Sequence, residues 1–336
     1  MSSLLEQEIA GQGAILAARA GAGMDAGRRA AEMLRGSTHM VIAARGTSDN
    51  AARFAQYLFG SELRLEAGLA APWLYRDAAR APQLAGAAVL AISQSGRSPD
   101  VVGVLAAARA QRRPTVAITN DPQSELATHA DAVIPLLAGV ERSVAATKSY
   151  LASLHAIVQI VESVDPRPGR RAWLERLPDL TATMAQTMLE TRDAFDPLAR
   201  ARPITTMGRG LFLSTACETA LKLRELSGIP AEAFSPPDFM HGPIAALHEP
   251  AATWLVAPGS ELEAVAARVA PDVVVSDDAA ALSRARIPVA LTPELPDWVA
   301  AILAVIPGQA AGLRLAELGG GDVDRPYGLS KVTLTN

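Results

Sequence analysis

One cysteine, Cys217, in 336 residues leaves no internal disulfide framework and no multi-thiolate metal site. Its setting in an apolar helical stretch reads as a buried structural thiol. Charged residues make up only 20% of the chain and aromatic residues 4%. The 35 acids against 31 Lys and Arg give a net charge of -4, with no bulk attraction for nucleic acid or an anionic membrane. An anionic substrate must therefore be captured locally, by oriented dipoles and a few cations. No histidine and acid pair has metal-ligand spacing, so neither a metal nor a cofactor is expected. The opening Met1-Ser2-Ser3-Leu4-Leu5-Glu6-Gln7-Glu8 lacks the basic start and long apolar core of a secretion signal. No apolar run reads as long enough to cross a bilayer, and the expectation is a cytoplasmic protein. What is plentiful is apolar residues, at 49%. That is the composition of a well-packed globular protein, and the length predicts two α/β lobes.

Residues 1–34 have helical spacing and read as a lead-in. Short apolar runs then alternate with helical stretches: His39–Ala44, Ala87–Ile92, Thr115–Thr119 and Ala132–Pro135 read as strands. Buried runs of this length suit parallel strands covered on both faces, which predicts a doubly wound parallel sheet over residues 35–165. Asp165-Pro166-Arg167-Pro168-Gly169 reads as a break, and residues 166–198 as a linker with one helix. The pattern restarts at Ile204–Met207 and continues through Thr253–Ala257, Val273–Val275 and Pro288–Leu291, giving a second lobe over 199–325 and a tail over 326–336. Each lobe opens with a strand, an Arg-Gly pair (Arg45-Gly46, Arg209-Gly210) and a helix. This repetition reads as a diverged internal duplication.

In open parallel sheets, ligands bind beyond the carboxyl ends of the strands. Ser93-Gln94-Ser95-Gly96-Arg97-Ser98 and Gly46-Thr47-Ser48 both fall there. A helix N-terminus offers unpaired N–H groups and a positive dipole end to a phosphate; the hydroxyls of Thr47, Ser48, Ser93, Ser95 and Ser98 and the amide of Gln94 add donors. Ser98 before Pro99 also looks like an ordinary N-cap. Four polar residues clustered after a buried strand exceed what one cap requires. A dinucleotide reading of Gly208-Arg209-Gly210 fails, because Leu213 stands where the third glycine belongs.

Glu218, Lys222 and Glu225 are spaced i, i+4, i+7 and share one helix face. A surface ion-pair ladder explains Glu218 and Lys222 equally well. His241, ahead of Gly242-Pro243 in a proline-rich stretch, is poorly placed for a core histidine and well suited to move protons. His39, His129, His155 and His248 lack such company and read as structural or surface residues.

These motifs, taken with ETALKLRE over residues 218–225, Ala231-Glu232-Ala233-Phe234 and the terminal Pro326-Tyr327-Gly328-Leu329-Ser330-Lys331-Val332-Thr333, resemble the double sugar-isomerase (SIS) domain proteins. That family includes the isomerase half of glucosamine-6-phosphate synthase and stand-alone glucosamine-6-phosphate deaminases. The resemblance implies tandem αβα lobes of flavodoxin-like type. It implies phosphate binding by Thr47, Ser48, Ser93, Gln94, Ser95 and Ser98, and sugar contacts from Val144, Ala146 and Ser330. Glu225 corresponds to the base between C1 and C2, and His241 to a ring-opening residue supplied by the partner subunit of a homodimer. Lys331 corresponds to the lysine near the sugar carbonyl, with Lys222 and Glu218 as supporting charges. Ala146 stands where the family usually has serine, and Tyr327-Gly328 where it usually has Arg-Asn. A start at Met1-Ser2-Ser3 and the single Cys217 lack the terminal cysteine of a glutaminase domain, which points to deamination of a hexosamine 6-phosphate. The alternatives are an aldose–ketose isomerase, a fructosamine-phosphate deglycase, or a non-catalytic phosphosugar-binding regulator.

Overall fold

Short apolar runs, each walled by helices, pair into two parallel sheets in the computed structural model, which describes residues 2–77, 79–248, 250–256, 263–266 and 268–331. In chain order the first half runs α1 (Leu4–Ala10), α2 (Gln12–Leu34), β1 (His39–Ala43), α3 (Thr47–Leu63), β2 (Ala67–Leu69), β3 (Ala87–Ile92), α4 (Pro99–Ala110), β4 (Thr115–Thr119), α5 (Glu125–Thr128), β5 (Ala132–Pro135), α6 (Lys148–Val164) and α7 (Pro168–Glu190). The second half runs β6 (Ile204–Gly208), α8 (Leu211–Ser227), β7 (Ala231–Phe234), α9 (Pro236–Met240), β8 (Ala252–Val256), α10 (Glu263–Ala266), β9 (Val273–Ser276), α11 (Ala279–Leu282), β10 (Ile287–Ala290), α12 (Asp297–Leu303) and α13 (Val305–Leu318). The expected extension of β8 to Ala257 and the terminal Val332-Thr333 lie outside the described residues.

The first sheet has the order β2-β1-β3-β4-β5, and the second, read from its other edge, β7-β6-β8-β9-β10. The neighbouring strands in both sheets run parallel, with Ala43 opposite Ala91 in the first sheet and Gly208 opposite Val256 in the second. The two orders are the same. In each, the first strand is flanked on one side by the second and on the other by the third, so the chain reverses direction across the sheet beside that strand. In open parallel sheets such a switch is where ligands bind, here at the carboxyl ends of β1 and β3 and, equivalently, of β6 and β8. β3 is buried along its whole length, as a strand covered on both faces should be.

Two compact units result. One holds the first sheet and comprises Gly13–Glu141, Lys148–Pro178 and the segment beginning at Ser330. The other holds the second sheet and comprises residues up to Gln12, Arg142–Thr147 and Asp179–Leu329. In the second-sheet unit, the Asp324 carboxylate accepts the backbone N–H groups of Leu4 and Leu5 at the start of α1. Glu8 accepts those of Arg142 and Ser143.

Two sequence expectations need correcting. Asp297–Leu318, with 22 residues, is long and apolar enough to cross a membrane, its most apolar 18-residue stretch having a mean hydropathy of 1.6. The reading that no run reaches that length overlooked it, because Asp297, Arg314 and Glu317 interrupt the pattern. It is a core segment, 94% of its most apolar stretch being buried inside the protein. Cys217 is only half-buried: with Leu213 and Leu221 it falls on an i, i+4 stripe of half-buried residues along α8.

Candidate active site

The first-sheet switch carries the serine loop. Gly46, at φ 57° and ψ -132°, turns the chain from β1 into α3 without a side-chain cap, a backbone shape that favours glycine. Gly96 is more constrained: its φ is +63°, and an added Cβ would lie 2.0 Å from the Ser124 Oγ. Ser93 and Ser95 each accept one backbone N–H from their own loop, of Gly96 at 3.1 Å and Arg97 at 3.3 Å. Each hydroxyl thereby holds the turn and keeps its proton to donate elsewhere. Ser98 sits at the N-cap position of α4 but makes no capping hydrogen bond, so the plain cap reading is corrected; Pro99 at the first helical position removes one of the N–H groups needing a cap.

The cations beside this loop are already engaged. Arg45 reaches the Asp100 carboxylate at 2.7 Å, and Arg97 lies 3.6 Å from Asp121. Burial pushes the Asp49 carboxyl in the first turn of α3 above its ordinary value, against the opposing pull of Arg53 and Arg45. The donors this loop offers are therefore dipoles and hydroxyls more than bare cations.

An open cleft of about 640 Å³ in the same unit is lined by Gln94, Ser95, Asn120, Glu141 and Lys331 among others. Thr47, Ser48, Ser93 and Ser98 are not on its lining. Glu141 is the residue that sequence reasoning missed. Its carboxylate is buried and accepts from the Ser149 N–H at 3.1 Å and the Ser149 Oγ at 2.6 Å, at the start of α6. The Lys331 Nζ donates to it at 2.9 Å. Asn120 braces the loop opposite, accepting from the Ala138 N–H and donating to the Gly139 carbonyl, while its own N–H reaches the Gln94 carbonyl. The acid of the pair with Lys331 is 190 residues away in sequence, so no local pattern signals it.

The second-sheet unit holds the carboxylate helix. Gly210 starts α8 at φ 59° and ψ -128°, the same backbone shape as Gly46. Glu218 and Lys222 are fully buried, which overturns the surface-ladder reading. Lys222 Nζ lies 3.4 Å from Glu218 Oε1 and is hydrogen-bonded to Glu225 Oε2. The Glu225 side chain keeps 24% of its surface exposed, so one carboxylate of this row is open to a ligand while the cation behind it is enclosed. A buried cation between two acids is costly to desolvate and needs both partners.

His241 is exposed and closes α9, its N–H reaching the Asp238 carbonyl. Its surroundings are more ordered than expected: β7 is an edge strand, Ser235 caps α9 by accepting the Asp238 N–H, and Phe239 is buried in the core. Val144 and Ala146 are half-buried in the same unit, Val144 through its N–H to the Asp324 carbonyl. Ser330 is exposed beside Lys331, and Tyr327 is fully exposed. Ser93–Ser98, Thr47, Ser48 and Lys331 thus belong to the first-sheet unit, and Glu218, Lys222, Glu225 and His241 to the second-sheet unit.

Residues 33–163, from the end of α2 through β1–β5 to α6, match the SIS domain family. The match ends before the second sheet. Over 312 residues the chain is 31% identical to glutamine–fructose-6-phosphate aminotransferase (isomerizing) of Bradyrhizobium diazoefficiens, covering 86% of this chain and 51% of that protein. The chain therefore spans about half the length of the curated relatives it matches. The C-terminal domain of glucosamine-fructose-6-phosphate aminotransferase from Francisella tularensis has the same architecture, with a TM-score of 0.84 at 26% identity over 97% of this chain and 98% of that one. The chain is homologous to the isomerase C-terminal domain of that enzyme. Glucosamine-6-phosphate deaminase from Thermotoga maritima shares the fold, with a TM-score of 0.74 at 19% identity over 99% of this chain and 100% of that one.

Proposed function

We propose that this chain is an amino-sugar phosphate deaminase of the isomerising type, converting glucosamine 6-phosphate and water to fructose 6-phosphate and ammonia. The observation that carries the reading is the Glu218–Lys222–Glu225 row on α8, with Glu218 and Lys222 buried and Glu225 partly open, a charged core that structure alone does not require. The serine loop supports a phosphate anchor formed by Thr47, Ser48, Ser93, Gln94, Ser95 and Ser98. After ring opening assisted by His241, Glu225 takes the proton from C2 and returns it at C1. Lys222 steadies the Glu225 carboxylate, and Lys331, held by Glu141, faces the developing negative charge on oxygen. The imine then adds water and releases ammonia, leaving the ketose phosphate. With free ammonia scarce, mass action favours this direction. Val144, Ala146 and Ser330 contact the sugar.

Two SIS lobes, over residues 35–165 and 199–325, complete the reading, with the repeated strand order as its support. So does a homodimer in which His241 enters the partner's site. The test is to incubate the purified protein with glucosamine 6-phosphate and measure ammonia and fructose 6-phosphate in equal amounts. Ketose from glucose 6-phosphate, without ammonia from any hexosamine phosphate, replaces the deaminase by an aldose–ketose isomerase. Absence of turnover on either substrate overturns the enzyme reading.

A further inference from the structure

The serine loop occupies the carboxyl ends of the first sheet; a different cleft lies at the amino ends. It is about 480 Å³ in volume and is lined by Glu32 and Arg35 around the end of α2, by Arg109, Arg112 and Arg113 around the end of α4, and by Asp131 ahead of β5. Four guanidinium groups face two carboxylates there, a formal excess of +2. One of those acids is already committed, since the Asp131 carboxylate accepts the Thr115 N–H and Oγ–H, both at 2.9 Å. Arg109 donates to the Thr128 carbonyl and Arg113 to the Gln111 carbonyl. Among the described residues, none of the four arginines forms an ion pair with a carboxylate. Such a concentration is unusual on a chain whose net charge is -4.

A blander account exists: cations beside helix C-termini offset the helix dipole, which covers Arg35 and Arg109 taken singly. It does not explain why Arg112 stands where it does. Arg112 has φ +54° and closes α4 in a turn in which its N–H reaches the Arg109 carbonyl and the Arg113 N–H the Ala108 carbonyl, both at 2.9 Å. Glycine is the residue such a position favours, so the arginine is kept at a steric cost and adds a further fork to the cleft.

We propose that this cleft binds a small multiply charged phosphate chain, inorganic or carried by a nucleoside, at a site distinct from the serine loop. Planar guanidinium forks match phosphate oxygens in pairs, and the volume suits a ligand of nucleotide size. The two sites lie at opposite ends of α4, whose 12 residues span about 18 Å.

Calorimetric titration of the full chain with tripolyphosphate at physiological ionic strength tests it, alongside Arg35→Ala/Arg112→Gly and Ser95→Ala variants. The expected result is saturable one-to-one binding, weakened at least tenfold in Arg35→Ala/Arg112→Gly and unchanged in Ser95→Ala. The arginine variant should melt no lower than the wild type, since glycine relieves the left-handed turn. Titration with ATP separates the sources: tighter binding than tripolyphosphate assigns a nucleotide, weaker binding an inorganic chain. No saturable binding of tripolyphosphate, binding that survives in the arginine variant, or binding lost in Ser95→Ala overturns the proposal.

Discussion

Helices α3 and α8 begin alike and end as different objects. Each has 17 residues, follows the first strand of its sheet, and starts from an Arg-Gly pair whose glycine has almost the same φ and ψ. Counting from that glycine, the eighth residue is Phe54 in α3 and Glu218 in α8; the twelfth is Leu58 and Lys222. All four are buried. Where the first lobe fills its core with apolar side chains, the second places an acid and a base. The first turns differ in the opposite sense: α3 opens with Thr47 and Ser48, α8 with Leu211 and Phe212. One scaffold is thus polar at its helix start, where the proposed phosphate anchor lies, and the other is polar at its helix centre. Desolvating charge where an apolar pair fits is a cost without structural return, and its place in the second helix points to chemistry.

The sharpest way to break this contrast is at the third residue of the row. Glu225→Gln preserves shape and removes the base, so turnover of glucosamine 6-phosphate should fall by about 10² to 10⁴-fold. Binding of fructose 6-phosphate, measured by calorimetry, should stay within about twofold. Undiminished turnover would return Glu225 to a purely structural role.

The next largest effect exchanges the two cores. Lys222→Leu alone leaves Glu218 buried opposite an apolar side chain and should cost about 3–5 kcal/mol of unfolding free energy. Glu218→Phe/Lys222→Leu, which gives α8 the α3 pair, should recover that loss or exceed wild-type stability by about 1–4 kcal/mol, with turnover abolished. Denaturant titration reads both. A double variant as unstable as the single one would mean that the two helix interiors are not interchangeable.

Much of this contrast was legible in the residues themselves. The buried runs of β3 and β4 and the Arg-Gly openings stood out because a parallel strand has no polar face to blur its pattern. The edge strands β2 and β7 did not: Ala67-Gly68-Leu69 is too short to show a period, and Ala231-Glu232-Ala233-Phe234 keeps an acid on its open side. Spacing placed Glu218, Lys222 and Glu225 on one face, but periodicity cannot tell a charged core row from a surface ladder, because burial depends on what packs against the helix. Glu141 was invisible for a related reason. Its partners are Ser149, across a turn, and Lys331, at the far end of the chain.

The smallest expected effect concerns how the first-sheet unit buries its own cation. Lys222 has two carboxylates, whereas Arg19, fully buried on α2, has among the described residues only neutral acceptors: the Leu136 carbonyl at 3.2 Å, and His155 Nδ1 and Gln159 Oε1 at 2.8 Å each. Burial lowers the Arg19 guanidinium to about 10. Burial first, and the Arg19 charge second, hold the His155 imidazole well below its ordinary value of 6.5. In the folded unit His155 is therefore neutral and accepts from Arg19, while in the unfolded chain it takes up a proton below about pH 6.5. The unfolded state then binds more protons, so stability is intact above that pH and declines as the pH falls towards the folded value, by about 1.4 kcal/mol per pH unit. A His155→Gln variant keeps an acceptor for Arg19 without the titration. Between pH 7 and pH 5.5 its unfolding free energy should fall by about 1 kcal/mol less than that of the wild type. Equal falls in the two proteins would show that His155 is as easily protonated inside the fold as outside it, and that the Arg19 cluster is wetter than its burial implies.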